Sequence, residues 1–289
     1  MIIRFDYDKS LEHIAEMTAW VEIVKKDTSW HKETLDSYSE LDQFYAGYFS
    51  DVTGDEFARA TQRIIDGPPL RILDVGPGRG ETSLYLADHG HEVFPVEPSL
   101  VSCEVIEHAG LRFGKNLLIY NCSAEHLEVP DAQFDVVVFN RSLHHCDDPV
   151  KALKNMHRYL RPAGKLFVIS EPMLPFYKNA ARLLETMNKD PDEYGHYGGN
   201  EHLYHFAEYI SMIKQGGFRN LRWDLVSRYH SKDLLARSLV NDPRHSRLRK
   251  NMKYLYLNLV YSLGRSGLKP LLAILRQLSL LQMTFTATK

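Results

Sequence analysis

A chain of 289 residues, 44% hydrophobic and 11% aromatic, can bury a sizeable core as one large domain or two small ones, and one domain with insertions is preferred. Its net charge of −2 argues against a chain built to coat nucleic acid, and three scattered cysteines, Cys103, Cys122 and Cys146, give neither a disulfide framework nor metal-ligand spacing. The opening MIIRFDYDKS lacks a cationic start and an apolar stretch, and no run of eighteen apolar residues occurs, so a cytoplasmic protein without a membrane span is expected.

From the N-terminus, DKSLEHIAEMTAWVEIVKK places Leu11, Ile14, Ala15, Thr18 and Val21 on one helical face, with Ser10 as cap, and that face is expected to dock on the rest of the chain. The following DTSWHKETLDSYSELDQFYAGYF is aromatic-rich and irregular in period; Trp30, Phe44, Tyr45 and Phe49 suit either core packing or a cover over a site. Residues 70 to 90, LRILDVGPGRGETSLYLADHG, then run from an apolar strand that carries Asp74 through Gly76, Gly78 and Gly80 into an amphipathic helix. Alternating glycines let the backbone approach a bound molecule with no Cβ in the way; a tight turn without a ligand is the plainer alternative.

HEVFPVEPS at 91 to 99 reads as the next strand and puts Glu97 about twenty residues beyond the glycines, where in a doubly wound sheet a carboxylate meets both hydroxyls of a ribose. A third strand from Asn116 leads into NCSAEHLEVP, and a fourth, FDVVVFN, ends at Asn140 just ahead of His144 and His145. LRPAGKLFVISEP supplies a helix end, a turn and a fifth strand. Regular alternation stops there. The insertion from Met173 to Tyr209 carries Tyr194, His196, His202 and His205 and follows the edge where open parallel sheets bind ligands, which makes it the acceptor-site candidate. A metal cluster of these histidines is disfavoured, since no second close ligand pair supports it.

The order of glycine loop, acid and histidine-bearing fourth strand resembles the class I S-adenosylmethionine-dependent methyltransferases, in particular the group acting on small molecules and lipids. The resemblance covers Ile72 to Pro172 and, more weakly, KQGGFRNLRW at 214 to 223. It implies an α/β fold with a doubly wound, mostly parallel seven-stranded sheet, an antiparallel final strand in QMTFTATK, and helical N-terminal and C-terminal insertions. The expected divisions are a helical cap at 1–66, a cofactor-binding core at 67–172, the acceptor insertion at 173–210, and the rest of the sheet with a basic helical insertion at 211–289.

The resemblance also implies that Asp74, Gly76, Gly78, Gly80, Glu97, Ser123, Ala124 and Asn140 hold S-adenosylmethionine, with no metal. Many relatives have an aspartate where Ser123 stands, so the adenine contact is expected from a hydroxyl, from backbone or from Glu125. The rival dinucleotide reading needs GxGxxG, whereas this loop is GPGRG. Related enzymes often close an N-terminal segment over cofactor and acceptor, which is the basis of the cover reading, but core packing is the preferred reading of the aromatic stretch.

A sulfonium methyl is already electrophilic, so the protein must align a nucleophile, exclude water and remove a proton when the acceptor is a hydroxyl. His144 or His145 suits the last task or else forms a wall of the acceptor pocket, and an activated carbon or an amine as acceptor needs no strong base. The expected function is methyl transfer to oxygen of a small-molecule, glycan or lipid-linked acceptor; the alternatives are carbon methylation of a quinone or isoprenoid and a cofactor-binding regulatory protein without turnover. No nucleic-acid partner is expected, and oligomeric state is left open. From Val226 to Lys289 the formal charge is +10, and Leu248, Met252, Leu255, Leu259 and Leu263 form a stripe opposite Arg249, Lys250 and Lys253. The preferred reading of such a segment is a packed helical subdomain with a solvated basic face; peripheral contact with an anionic membrane is the alternative.

Overall fold

The computed structural model describes residues 1–9, 11–49, 60–62, 64–129, 133–175, 177–189, 202–225, 251, 255 and 281–289. Within them the strands are β1 (Ile2–Arg4), β2 (Arg71–Val75), β3 (Glu92–Val96), β4 (Ile119–Asn121), β5 (Phe134–Asn140), β6 (Leu160–Leu174), β7 (Tyr204–His205), β8 (Arg219–Leu225) and β9 (Leu281–Thr288). They form one nine-stranded sheet in the order β1-β4-β3-β2-β5-β6-β9-β8, with β7 pairing β6 off that path. Pairing is parallel except at β9, which runs antiparallel to both β6 and β8. The doubly wound sheet and its antiparallel final strand are those expected. The count differs by two, because Ile2–Arg4 pairs with β4 as an edge strand and Tyr204–His205 adds a short parallel pair.

Strands β2 and β5 are buried on both faces, which is why their sequences RILDV and FDVVVFN are apolar almost throughout. Alternate residues serve two cores: Leu73, Val75, Val137 and Phe139 on one face, Ile72, Val136 and Val138 on the other. The helices are α1 (Leu11–Lys26), α2 (Lys32–Ser37), α3 (Leu41–Phe49), α4 (Glu81–Asp88), α5 (Leu100–Arg112), α6 (Pro149–Tyr159), α7 (Ala180–Lys189) and α8 (Phe206–Gln215). Chain order reverses at β2, which has β3 on one side and β5 on the other, so the crevice beyond the C-terminal ends of these strands lies at a topological switch point.

Helix α1 corrects the expected docking face. His13, Glu16 and Val24 are buried, whereas Ile14 is 48% exposed and Ala15 and Thr18 also face solvent. The reason is the surface it meets: α1 lies over a cavity, where Glu16, Met17 and Trp20 form part of the wall. Trp20 Nε1 donates to Ser102 Oγ on α5 at 2.8 Å and its ring meets Trp30 edge-on, which ties the helix down. Ser10 lies outside the described residues. Phe44 is a core residue, Tyr45 packs beside that core, and Trp30 borders the cavity, so the aromatic stretch serves both packing and cover.

Candidate active site

One cavity of about 770 Å³ opens at the switch point, lined by the glycine loop, the ends of β3 and β5, the 142–147 segment and α1. The loop takes its shape from backbone that only glycine adopts readily. Gly76 has φ +67° and a Cβ there would lie 2.6 Å from Ser142 Cβ, while Gly78 has φ +58° and a Cβ there would meet only Trp30, at 3.7 Å. Gly80, φ +94°, serves packing instead, since a Cβ there would lie 2.8 Å from Ile106 Cγ1. Asp74 is fully buried behind the loop and its Oδ2 accepts from the hydroxyls of Thr82 and Ser83, both at 2.6 Å. Burial pushes its carboxyl up to about 6, partly offset by these two donors.

Glu97 stands opposite. It accepts the Gly78 N–H at 3.1 Å and the Ser99 N–H at 2.9 Å and borders the cavity. Burial pushes its carboxyl up to about 8 despite those bonds. Hydroxyl donors from a ligand would favour its ionised, fully accepting form, and the open side of Gly78 leaves room for a ligand. Ser123, Ala124 and Glu125 border the same cavity. The Ser123 hydroxyl is already joined to His126 Nδ1 at 2.8 Å, and Glu125 accepts the Asp148 N–H at 3.2 Å. Asn140, at the end of β5, also lines the cavity.

The two histidines are held differently. His144 is buried, and its Nδ1 lies 2.7 Å from Oε2 of Glu171, a fully buried acid at the far end of β6. Glu171 also accepts the N–H groups of Ser142 at 2.9 Å, Leu143 at 3.0 Å and His144 at 3.2 Å, and the Tyr209 hydroxyl at 3.3 Å. Burial alone would raise its carboxyl, but the His144 ring and the N–H groups outweigh burial and hold it below the usual range. His145 is more accessible, and its Nδ1 lies 3.2 Å from Glu16 Oε1 across the cavity mouth. The two imidazole centroids are 4.1 Å apart. Sequence reasoning missed Glu16 and Glu171: Glu16 sits in an ordinary amphipathic helix, and Glu171 in an apolar strand, where a lone buried acid was the available signal.

Of the acceptor-insertion residues, Tyr194 and His196 lie outside the described residues. His202 donates its N–H to the His144 carbonyl at 3.1 Å, with its ring Nδ1 also 3.1 Å from that oxygen. His205 is turned to Leu174 O, 3.2 Å from its Nδ1, and caps α8. The end of the insertion is therefore joined to the histidine segment, with His202 nearer to it than His205. Cys103, Cys122 and Cys146 are free buried thiols, and burial raises each above the ordinary thiol range. Among the described residues no helix is long and apolar enough to cross a membrane.

Residues 73–168 match the family model of a methyltransferase domain. The chain is 29% identical over 173 residues to the ubiquinone/menaquinone biosynthesis C-methyltransferase of Vibrio campbellii, a match spanning 54% of this chain and 67% of that protein. It is 31% identical over 124 residues to the tRNA 5-carboxymethoxyuridine methyltransferase of Escherichia coli K12, over 41% of this chain and 44% of the other. In fold it resembles Haemonchus contortus phosphoethanolamine N-methyltransferase 2, solved with phosphomonomethylethanolamine and S-adenosylhomocysteine, at TM-score 0.53 and 19% identity. That match covers 81% of this chain but spans about half, 52%, of the other.

Proposed function

We propose that this chain, a class I S-adenosylmethionine-dependent methyltransferase by its domain and its fold, moves a methyl group to oxygen of a small-molecule acceptor, with His144 as general base. The observation that carries the reading is a single cavity bordered at once by the glycine loop, by buried Glu97 and by His144. Bound there, S-adenosylmethionine supplies a methyl group made electrophilic by the sulfonium. In this reading Gly76, packed on Ser142, shapes the loop and Gly78 leaves room for the methionine portion beside Asn140, Glu97 accepts the two ribose hydroxyls, and Ser123, Ala124 and Glu125 border the adenine. Asp74 and Gly80 act from behind, holding the loop and its helix in place.

Ionised Glu171 accepts a hydrogen bond from the Nδ1–H of His144, which leaves the lone pair on Nε2. As an acceptor oxygen bonds to the methyl carbon and the carbon–sulfur bond breaks, the hydroxyl proton passes to Nε2, and Glu171 stabilises the imidazolium so formed. The test is release of S-adenosylhomocysteine with a set of hydroxyl-bearing small molecules, read together with mass analysis of the methylated product. His144→Ala is expected to lower turnover by a factor of about 100 to 10,000 while product affinity stays near parental. Near-parental turnover would remove His144 as the base.

The Vibrio relative favours a second reading, methylation of an activated ring carbon, and a quinol included in the same assay decides between carbon and oxygen. Bulk tRNA belongs in it too, since methyl transfer to polynucleotide alone would replace the small acceptor. The basic segment from Val226 supports a lipid-linked acceptor. Its Arg247, Arg249, Lys250 and Lys253 lie outside the described residues.

A further inference from the structure

Glu16 has a place in the cavity that the proposed mechanism does not use. It projects from α1 and is only 8% exposed. Its Oε1 lies 3.2 Å from His145 Nδ1, so the carboxylate reaches the histidine edge from above. Its charge also acts on Glu97, at the ribose end of the reading above, and on Cys146, beside the histidines. Glu16, Glu97 and His145 border one cavity, and with its Oε1 on the His145 ring Glu16 faces the stretch between that ring and Glu97. With the ribose on Glu97 and the transferred methyl facing the histidine edge, that stretch is where the sulfur must lie, because sulfur joins the two. Two arginines border the cavity: Arg79 is paired with Glu81 and donates to the Ser29 carbonyl, and Arg141 is exposed to solvent. Cofactor and product differ there by one methyl group and one positive charge. A fixed carboxylate in a half-dry cavity distinguishes a cation from its neutral counterpart far better than it distinguishes shapes.

We propose that Glu16 is a specificity-determining residue that holds the cationic sulfonium of S-adenosylmethionine in preference to the neutral thioether of S-adenosylhomocysteine. Transfer of the methyl group removes the charge that Glu16 binds, so the site loosens its hold on the product once reaction is complete. The inference rests on the cofactor assignment made under the proposed function and adds to it a means of product exit.

The competing explanation is that Glu16 only latches α1 through His145. Calorimetric titration of the full chain with S-adenosylmethionine and separately with S-adenosylhomocysteine separates the two. Glu16→Gln, nearly isosteric, is expected to weaken the cofactor about tenfold and the product no more than about twofold, since a charge in a partly desolvated site acts only on the cation. Product binding by the variant doubles as proof that the site is folded. His145→Gln removes the latch and keeps the carboxylate, so it is expected to preserve the parental ratio of the two affinities. Equal weakening of both compounds in Glu16→Gln, or the same loss of ratio in His145→Gln, overturns the proposal and leaves a latch. Failure of the parent to bind either compound overturns the cofactor assignment itself, a result distinguishable from an unchanged ratio.

Discussion

Glu97 carries a proton in the folded chain across a range where an ordinary glutamate has lost it. Its carboxyl stands at about 8 against 4.5, so between those values the native state binds more protons than the unfolded one. Stability in that window must therefore fall as pH rises, and Glu97→Gln should flatten this part of a pH series of thermal melts. Two ribose hydroxyls would favour the ionised form, so binding of S-adenosylhomocysteine at pH 7 should release protons. Calorimetry in buffers of different ionisation enthalpy reads this directly, and binding without release would remove Glu97 from the ribose. Glu97→Ala should weaken cofactor and product alike by about 1.5 to 3 kcal/mol, the order of one hydrogen bond to a charged group, since the cost of deprotonating the acid offsets part of the gain from two. The acid was legible in the sequence from its distance to the glycines. Which of His144 and His145 is the buried one was not, because that depends on Glu171 and Glu16, partners 27 positions after His144 and 129 before His145.

At the scale of elements, the glycine loop divides into parts with different consequences. Gly76→Ala forces a side chain into backbone at φ +67° and brings a Cβ to 2.6 Å from Ser142 Cβ, so it should cost about 2 to 4 kcal/mol in denaturant unfolding. Gly78→Ala carries the backbone strain of φ +58° with no close neighbour, about 1 to 2 kcal/mol, yet it places a methyl group in the cavity. Equal stability losses in the two variants would contradict this division. The loop was readable because its glycines stand between a strand pattern and a helix pattern. Helix α1 was readable as a helix but not in its orientation. Period alone sends Ile14 inward, and it is the cavity beneath the helix that turns Glu16, Met17 and Trp20 inward instead. Removing the 2.8 Å Trp20–Ser102 hydrogen bond with Trp20→Phe should cost about 0.5 to 1.5 kcal/mol and speed exchange of the α1 amides.

For the molecule as a whole, parallel strands and crossovers were legible from Ile72 to Pro172, where apolar runs alternate with helical periods. Strand β1 was not, since three residues whose partner lies more than a hundred positions away carry no local period. The charge asymmetry gives a further test. If the +10 segment from Val226 meets acidic lipid, the chain should sediment with acidic vesicles at low salt and leave them as salt rises. Indifference to acidic vesicles would withdraw the lipid-linked acceptor. One feature of the sheet also bears on how the chain is made. Strand β9 lies between β6 and β8, and Lys289 donates its backbone N–H to Gly164 O at 2.9 Å. During synthesis, then, β8 emerges well before the strand that joins it to β6, and about 55 residues separate the two. At roughly 5 to 20 residues per second the ribosome leaves that gap open for several seconds. The nascent chain would pass that interval with two unpaired strand edges exposed, the period in which a chaperone has most to protect.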